Sequence, residues 1–438
     1  MQLSDKTISV DKAWDILFDR HNIADRVAHN GSFRLSAAEI NTVKDARAMV
    51  KFDQSIQLPR IFRENGFSLL PITRDEYVIG SFTTHVKIPY EPVKPKPVPT
   101  PDMSDMQQAD LYSESSALQF AYKSGIIQDI MRDKAVYAID GRTMSGSFSF
   151  RILNPRLPAG EQRINVVNVQ TEIDAGYESR DLLCLCEAKN VASEELFIRR
   201  LYYPYRLWSS RISKPVLPIY LVYSNDVFHA FLYRFDDKDF YNSIQLVEHR
   251  AYTFAAEDIS LDDIIEVWHA TTPLPEPNVT FPQADSFSRI VDILSVLYER
   301  RLAPEDVTLK YDFDARQTSY YVAACEYLDL IVRDVNGYGE RQYALTKDAK
   351  RIMEMHHKQK YLALIGKVLQ RKVFYHAFGL AVQIGGVPDK ESVCAIMREM
   401  DLPLSDSTIG RRSSTVRSWL DWIFKQITVP GSQEIGGA

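Results

Sequence analysis

The sequence predicts an α/β (α+β) fold in three parts: a small N-terminal module, a mixed α/β core and a helical C-terminal half. Three observations carry that expectation. Apolar residues recur at helical spacing near the start and through the last third, short β-branched and aromatic stretches fill the middle, and two proline-rich runs divide the regions. With 438 residues, 45% apolar and 11% aromatic, the chain can bury substantial cores. The expected boundaries are an N-terminal module at 1–90, a linker at 91–106, the core at 107–272, two helical modules at 283–355 and 356–428, and a disordered tail at 429–438.

In the N-terminal module, residues 9–30 crowd Trp14, Ile16, Leu17 and Phe18 onto one side of a helix that Gly31 stops. A second helix opens with Ser36 and, three residues later, Glu39, the capping-box spacing. A further helix and two short strands follow, up to about Phe82. Arg47, Lys51, Arg60, Arg63 and Arg74 make the module locally basic, which fits phosphate contacts or an ordinary solvated face. The run EPVKPKPVPTPDMSDM cannot hold a helix or a central strand and reads as a semi-rigid linker or a surface-crossing segment.

The core opens with an amphipathic helix, LYSESSALQFAYKSGIIQDIM, and a glycine-punctuated strand pair, VYAIDGRTMSGSFSFRIL. The stretch Ile164 to Lys189 then sets charged groups on apolar strand sequence. By the two-residue period, Leu182, Cys184, Cys186 and Ala188 face one way and Leu183, Leu185, Glu187 and Lys189 the other, so this is a central strand with a carboxylate and an ammonium at its end. A turn near Arg180 and Asp181 brings Asp174 opposite Glu187, with Glu172 one step along on the same side. Carboxylates this close raise each other's pKa unless a divalent cation neutralises them, and Mg²⁺ prefers oxygen ligands. Simple pairing of Glu187 with Lys189 is the plainer alternative. A helix with Arg199, Arg200, Tyr202 and Tyr203 and two strands within 214–235 complete the core.

Beyond the second proline-rich run, PLPEPNVTFP, a helix, a short helix, a long helix and a hairpin with Gly337 and Gly339 at its tip follow in winged helix-turn-helix order. Asp314 is the expected cap of the recognition helix, which sets Arg316, Gln317, Ser319 and Tyr320 on its first exposed turns, where such helices meet base edges; such modules also dock proteins. The last segment repeats the pattern. Thr408, Arg411, Arg412, Ser413, Thr415 and Arg417 form a run suited to phosphate or groove contact, while Trp419, Leu420, Trp422 and Ile423 supply the apolar stripe.

A formal net charge of −6 gives no global basic field, so any DNA contact must come from local patches. Four cysteines form neither a disulfide framework nor a zinc pattern, and no export signal or membrane span is expected, so a reducing cytoplasm is the expected compartment, a prokaryotic one on the resemblance given next.

Asp174, a hairpin, then Glu187-x-Lys189 resembles the metal-binding core of the PD-(D/E)XK nuclease superfamily, with Ile173-Asp174 in place of the usual Pro-Asp. The tripeptide alone also fits Asp236-x-Lys238 and Asp348-x-Lys350, neither of which ends a two-faced apolar strand. With RAMVKFDQSIQLPRIFRENGFSLLPITRDEYVIGSF, RQTSYY and STIGRRSSTVRSWLDW, nearly the whole chain resembles a group of bacterial and archaeal type II restriction endonucleases. That resemblance implies Mg²⁺-dependent cleavage of both strands of duplex DNA at a short specific sequence, leaving 5′-phosphate ends. It implies Asp174, Glu187 and the Ala188 carbonyl as metal ligands, with Glu172 beside them and Lys189 assisting the attacking water. Glu114 matches an acidic residue that the superfamily turns towards the metal, though a first-turn glutamate also suits the helix dipole. DNA contacts fall on Arg199, Arg316, Gln317, Ser319, Arg411 and Arg412. The implied partners are double-stranded DNA and a cognate DNA methyltransferase of the same system; either one chain or a homodimer makes the double-strand break. A non-catalytic DNA-binding regulator and a modification-dependent or repair nuclease are the alternative readings.

Overall fold

An apolar run such as Leu183–Ala188 is satisfied only between two layers, and that is where the computed structural model holds it. The structure describes residues 8–101, 111–254, 257–310, 315–335, 337, 339–400 and 402–427. Its centre is a seven-stranded mixed sheet of β1 (Lys96–Pro97), β2 (Val136–Met144), β3 (Gln170–Glu178), β4 (Leu183–Lys189), β5 (Val216–Ser224), β6 (Val227–Phe235) and β7 (Ile244–Thr253). The strand order is β1-β7-β6-β5-β4-β3-β2. β4 runs antiparallel to β3 and parallel to β5, so it is interior. The β5–β6 hairpin turns through Asn225 and Asp226, both at positive φ (51° and 61°), which matches the right-handed strand twist.

One face of β4, through Cys184, Cys186 and Ala188, packs under α1 (Glu114–Lys123), which Ser113 caps by accepting from the Ser116 amide. The other face, through Leu183 and Leu185, meets Ile173, Ile139 and Trp208 of α2 (Arg199–Arg211). All four cysteines are buried and free.

The N-terminal module has a core of its own around Trp14, Phe18 and Phe62. Its expected first helix is two, Val10–His21 and Ile23–Asn30, because Asn22 takes a left-handed conformation (φ 49°). The Ser36–Glu39 capping box forms, but that helix ends at Asn41 and Asp45 caps a separate turn, Ala46–Met49. The expected strand pair at 136–153 does not pair with itself. β2 joins β3, while Ser147–Leu153 pairs with Glu161–Val167, because Phe150 and Ile152 bury in a second core under Tyr202 and Tyr203. Residues 91–101 cross the surface and add β1 to the edge of β7.

The C-terminal region is helical: α3 (Phe287–Glu299), α4 (Pro304–Lys310), α5 (Ala315–Tyr327), the hairpin Ile331–Val335/Arg341–Leu345, then α6 (His357–Leu369), Lys372–Ile384, Lys390–Glu399 and α7 (Asp406–Lys425). A single antiparallel bridge between Leu302 and Tyr343 ties the segment before α4 to this two-stranded hairpin. The proline-rich run at 273–282 is a packed strap: Leu274 donates to the Gln370 carbonyl, and Phe281 is buried against Phe374. Proline removes backbone donors but leaves side chains free to pack. One hydrophobic cluster therefore runs from Cys186 through Tyr223 and Phe228 to Tyr361 and Trp419, so the core and both helical modules share it. Asp314, part of the 91–106 stretch and the tail at 429–438 lie outside the described residues. Among the described residues no helix is long and apolar enough to cross a membrane.

Candidate active site and nucleic-acid interface

The β3–β4 ladder pairs Glu178 with Leu183 through to Ala175 with Cys186 and ends there; one residue further on, Asp174 lies close enough to Glu187 for that carboxylate to act on its charge. Here the carboxylate replaces the backbone: the Ala188 amide donates to Asp174 Oδ2 at 2.8 Å. Glu187 is buried, 3% exposed. Lys189 Nζ lies 3.2 Å from Glu187 Oε1, 3.1 Å from the Ala188 carbonyl and 3.6 Å from Glu114 Oε1 at the start of α1. The structure thus gathers Asp174, Glu187, Lys189, Ala188 and Glu114 at one strand end.

Two more groups complete the cluster: Arg200, which the sequence marks for phosphate contact and not for pairing here, and Asn190, which it does not mark. Arg200 Nε stands 3.7 Å from Glu187 Oε1, and its guanidinium grips Asp53 of the N-terminal module at 2.7 and 2.8 Å. Asn190 donates to the Tyr112 carbonyl, while its Oδ1 is buried without a partner among the described residues. With Glu114 and Asp174 it lines a cavity of about 360 Å³.

Burial, then the neighbouring Glu187, pushes the Asp174 carboxyl up to about 7. For Lys189, burial works downward, but Glu187 and Glu114 outweigh it and hold the ammonium above its ordinary range. Burial likewise works to raise Asp53, yet Arg200 holds it below the usual carboxylate range.

Glu172 departs from the expectation. β3 slips in register against β2 between Ile139 and Gly141, and Ile173 packs with Leu183 and Leu185, so strict alternation fails between Ile173 and Asp174. Glu172 instead meets Arg142 at 3.3 Å. Among the described residues, no three Asp, Glu, His or Cys side chains form a ready metal cage. The oxygen donors at this strand end are the Asp174 and Glu187 carboxylates and the Ala188 carbonyl, the last two engaged by Lys189, while the orphaned Asn190 Oδ1 belongs to the cavity lined by Glu114 and Asp174. That composition fits Mg²⁺, which takes one or two carboxylates and fills its remaining positions with water and substrate phosphate.

Beside this cluster, Arg47, Lys51, Arg142, Arg199 and Arg200 line a cleft of about 360 Å³ between the N-terminal module and the sheet. Arg199 does not lie on an exposed helix face. Its guanidinium lies over Phe197 and Tyr203, at 5.1 and 5.9 Å, and burial pulls its pKa down. Arg60 is engaged by Asp15 and Glu64, and Arg63 donates to the Leu58 carbonyl.

In the C-terminal region Arg316 and Ser319 are exposed on α5 and Gln317 is half-buried; Arg316 Nε donates to the Tyr320 hydroxyl at 2.5 Å. Arg411 is exposed on α7, and Arg412 is half-buried, with Tyr320 among the groups that act on its charge. The expected polar run on α7 is only partly available. Ser413 is buried, Thr415 is buried and donates to Asp285, and Arg417 donates to the Pro388 carbonyl.

Three family models match the chain, each described only as a domain of unknown function: residues 11–79 (DUF6996), 80–253 (DUF6997) and 289–428 (DUF7226). No curated protein and no solved structure gives a match.

Proposed function

We propose that this protein is a Mg²⁺-dependent endonuclease acting on double-stranded DNA, a type II restriction endonuclease of the PD-(D/E)XK kind whose C-terminal helices read sequence as winged helix-turn-helix modules. The observation that carries the reading is the meeting of Asp174 and Glu187 across β3 and β4, with Lys189 and Glu114 against them, beside the basic cleft.

Asp174, Glu187 and the Ala188 carbonyl would hold the Mg²⁺, which when bound polarises the scissile phosphate and lowers the pKa of a coordinated water. Lys189, its ammonium held above its ordinary range by Glu187 and Glu114, would donate hydrogen bonds to the attacking water or to a non-bridging phosphate oxygen. Arg200 fixes Glu187 and ties it to Asp53, so the N-terminal module buttresses the site. Arg47, Lys51 and Arg199 track the strand backbone. A cognate methyltransferase would protect host sites.

The test is incubation of the protein with methylated and unmethylated plasmid, in Mg²⁺ or in EDTA. Discrete fragments from unmethylated plasmid in Mg²⁺ alone are expected, with Glu187→Gln and Lys189→Met proteins binding the site but leaving it uncut. Cleavage by both variants at the wild-type rate, or a mobility shift without any cutting, overturns the reading.

A further inference from the structure

The basic cleft opens into a larger cavity, about 590 Å³, whose walls come from two separately matched segments of the chain. Asn41, Asp45, Arg47, Phe52 and Tyr77 come from the N-terminal module, and His85, Phe197 and Arg199 from the core. That volume far exceeds what a phosphate alone needs, and the wall is mixed: aromatic rings, amide and carboxylate groups, and cations.

Arg199 is the informative side chain. Its Nε is buried without a hydrogen-bond partner among the described residues, while the rings of Phe197 and Tyr203 pack against its guanidinium at 5.1 and 5.9 Å. A buried donor left unpaired is costly and calls for an acceptor from outside the fold. A guanidinium matches the planar, two-oxygen edge of a phosphate. Arg47, exposed on the rim, makes no side-chain bond among the described residues and supplies a second cation. Asn41 Oδ1 and Asp45 Oδ1 already accept from the Ala46 and Arg47 amides, which leaves the Asn41 amide nitrogen as a donor and the second Asp45 oxygen with Asp75 as acceptors for the edge of a base.

We propose that this cavity binds one nucleotide turned out of the duplex, with its phosphate on Arg199 and Arg47 and its base against the aromatic and amide wall. The inference rests on the DNA-cleaving reading for its biological setting, and its physical claim is the binding of a nucleoside monophosphate. Turning a base out costs least where pairing is already weakened, so the cavity would also discriminate between bases.

The test uses the full-length protein in EDTA, titrated by calorimetry with each deoxynucleoside 5′-monophosphate and, separately, with inorganic phosphate. Stacking and edge contacts should make the best monophosphate bind at least about tenfold more tightly than phosphate. Arg199→Gln and, independently, Arg47→Ala should each weaken it several-fold; Arg47 is exposed, so its variant guards against misfolding of the first. A duplex carrying 2-aminopurine at the target position should brighten on binding the wild type and not the Arg199→Gln protein. Equal affinity for phosphate and monophosphate means an anion site only and overturns the proposal, as does unchanged binding in both variants. A protein that cuts plasmid but binds no monophosphate refutes the cavity alone; one that binds monophosphate but never cuts supports the cavity and removes the nuclease.

Discussion

Replacing Lys360 by methionine should loosen the joint between the C-terminal helices and the sheet in a way that depends on pH. Lys360 is fully buried on α6, and its ammonium lies 2.6 Å from Asp226 in the β5–β6 turn and 3.2 Å from the Tyr112 hydroxyl. His357 adds a contact to Asp226 at 3.0 Å. Tyr112 stands two residues before Glu114, and its carbonyl accepts from Asn190, so the node adjoins the candidate site. Burial works to raise the Asp226 carboxyl; the Lys360 charge and the His357 contact hold it well below the ordinary range. Lys360, for its part, is penalised by burial and held above its ordinary value by Asp226.

The signs follow from linkage. A depressed carboxyl contributes stability above its unfolded pKa, near 4, and loses it only as pH falls towards its folded value; a raised ammonium contributes below about 10.4 and loses it as pH rises through its folded value. The intact pair is therefore insensitive to pH between roughly 5 and 9. Lys360→Met leaves a buried carboxylate short of its cation, a loss of about 3–5 kcal/mol at pH 8. At roughly 2–4 °C per kcal/mol, the melting temperature should fall by at least about 6 °C. Burial is then opposed by the His357 contact alone, so the carboxyl rises from its wild-type position and the variant regains part of the loss at pH 5.5 as Asp226 takes up a proton. Adding Asp226→Asn should restore much of the loss, since the two effects are coupled. Melting curves by circular dichroism at the two pH values decide it. An equal loss at both, or a double variant as unstable as the sum of the singles, refutes the reasoning.

Two further outcomes are expected. In a DNA-binding titration across salt concentrations, Arg47→Ala with Lys51→Ala should reduce the slope of log affinity against log salt by roughly 2, close to 0.9 for each phosphate no longer neutralised; an unchanged slope removes both from the interface. Asp292 is buried, its carboxyl pushed up to about 7 by burial although Ser224 donates to it at 2.8 Å. A raised carboxyl costs stability as pH climbs from its unfolded value through its folded one. Asp292→Asn should therefore stabilise the protein more at pH 8 than at pH 5, by on the order of 2 kcal/mol in urea unfolding, and an effect of the reverse sign would contradict the burial argument.

How far the sequence reaches depends on whether the signal is local. The two apolar faces of Leu183–Ala188 identify an interior strand, and counting back through the hairpin puts Asp174 against Glu187, because strand pairing propagates register one residue at a time. The same counting fails at Glu172, where a slip against β2 turns one residue over, and no side-chain pattern encodes that slip. Asp53 and Arg200 could not be paired from sequence, being 147 positions apart in separately packed regions. Periodicity finds the stripe Trp419, Leu420, Trp422 and Ile423 but leaves Ser413 and Thr415 as polar surface; α7 is 20 residues long and crosses packed neighbours on more than one side, so small hydroxyls are buried with it. Proline marks breaks in hydrogen bonding at 273–282, but these are not breaks in packing, because Phe281 bridges them.

Net charge is similarly uninformative, for a reason that bears on function. The chain carries −6 overall, yet the cleft beside Asp174 and Glu187 presents Arg47, Lys51, Arg142, Arg199 and Arg200 against only Asp53 and Glu172. At physiological ionic strength charges are screened beyond about 8 Å, so an approaching strand feels those side chains and not the distant surplus of acid. Both acids in the cleft are already neutralised, Asp53 by Arg200 and Glu172 by Arg142. On the proposed reading, exposed Arg47 and Lys51 would be the charges a phosphate backbone meets first, with Arg199 deeper in the same cleft. An anionic polymer approaches two carboxylates only if something offsets them; if DNA is the substrate, the basic rim would act on the flanking phosphates and a bridging cation on the one between.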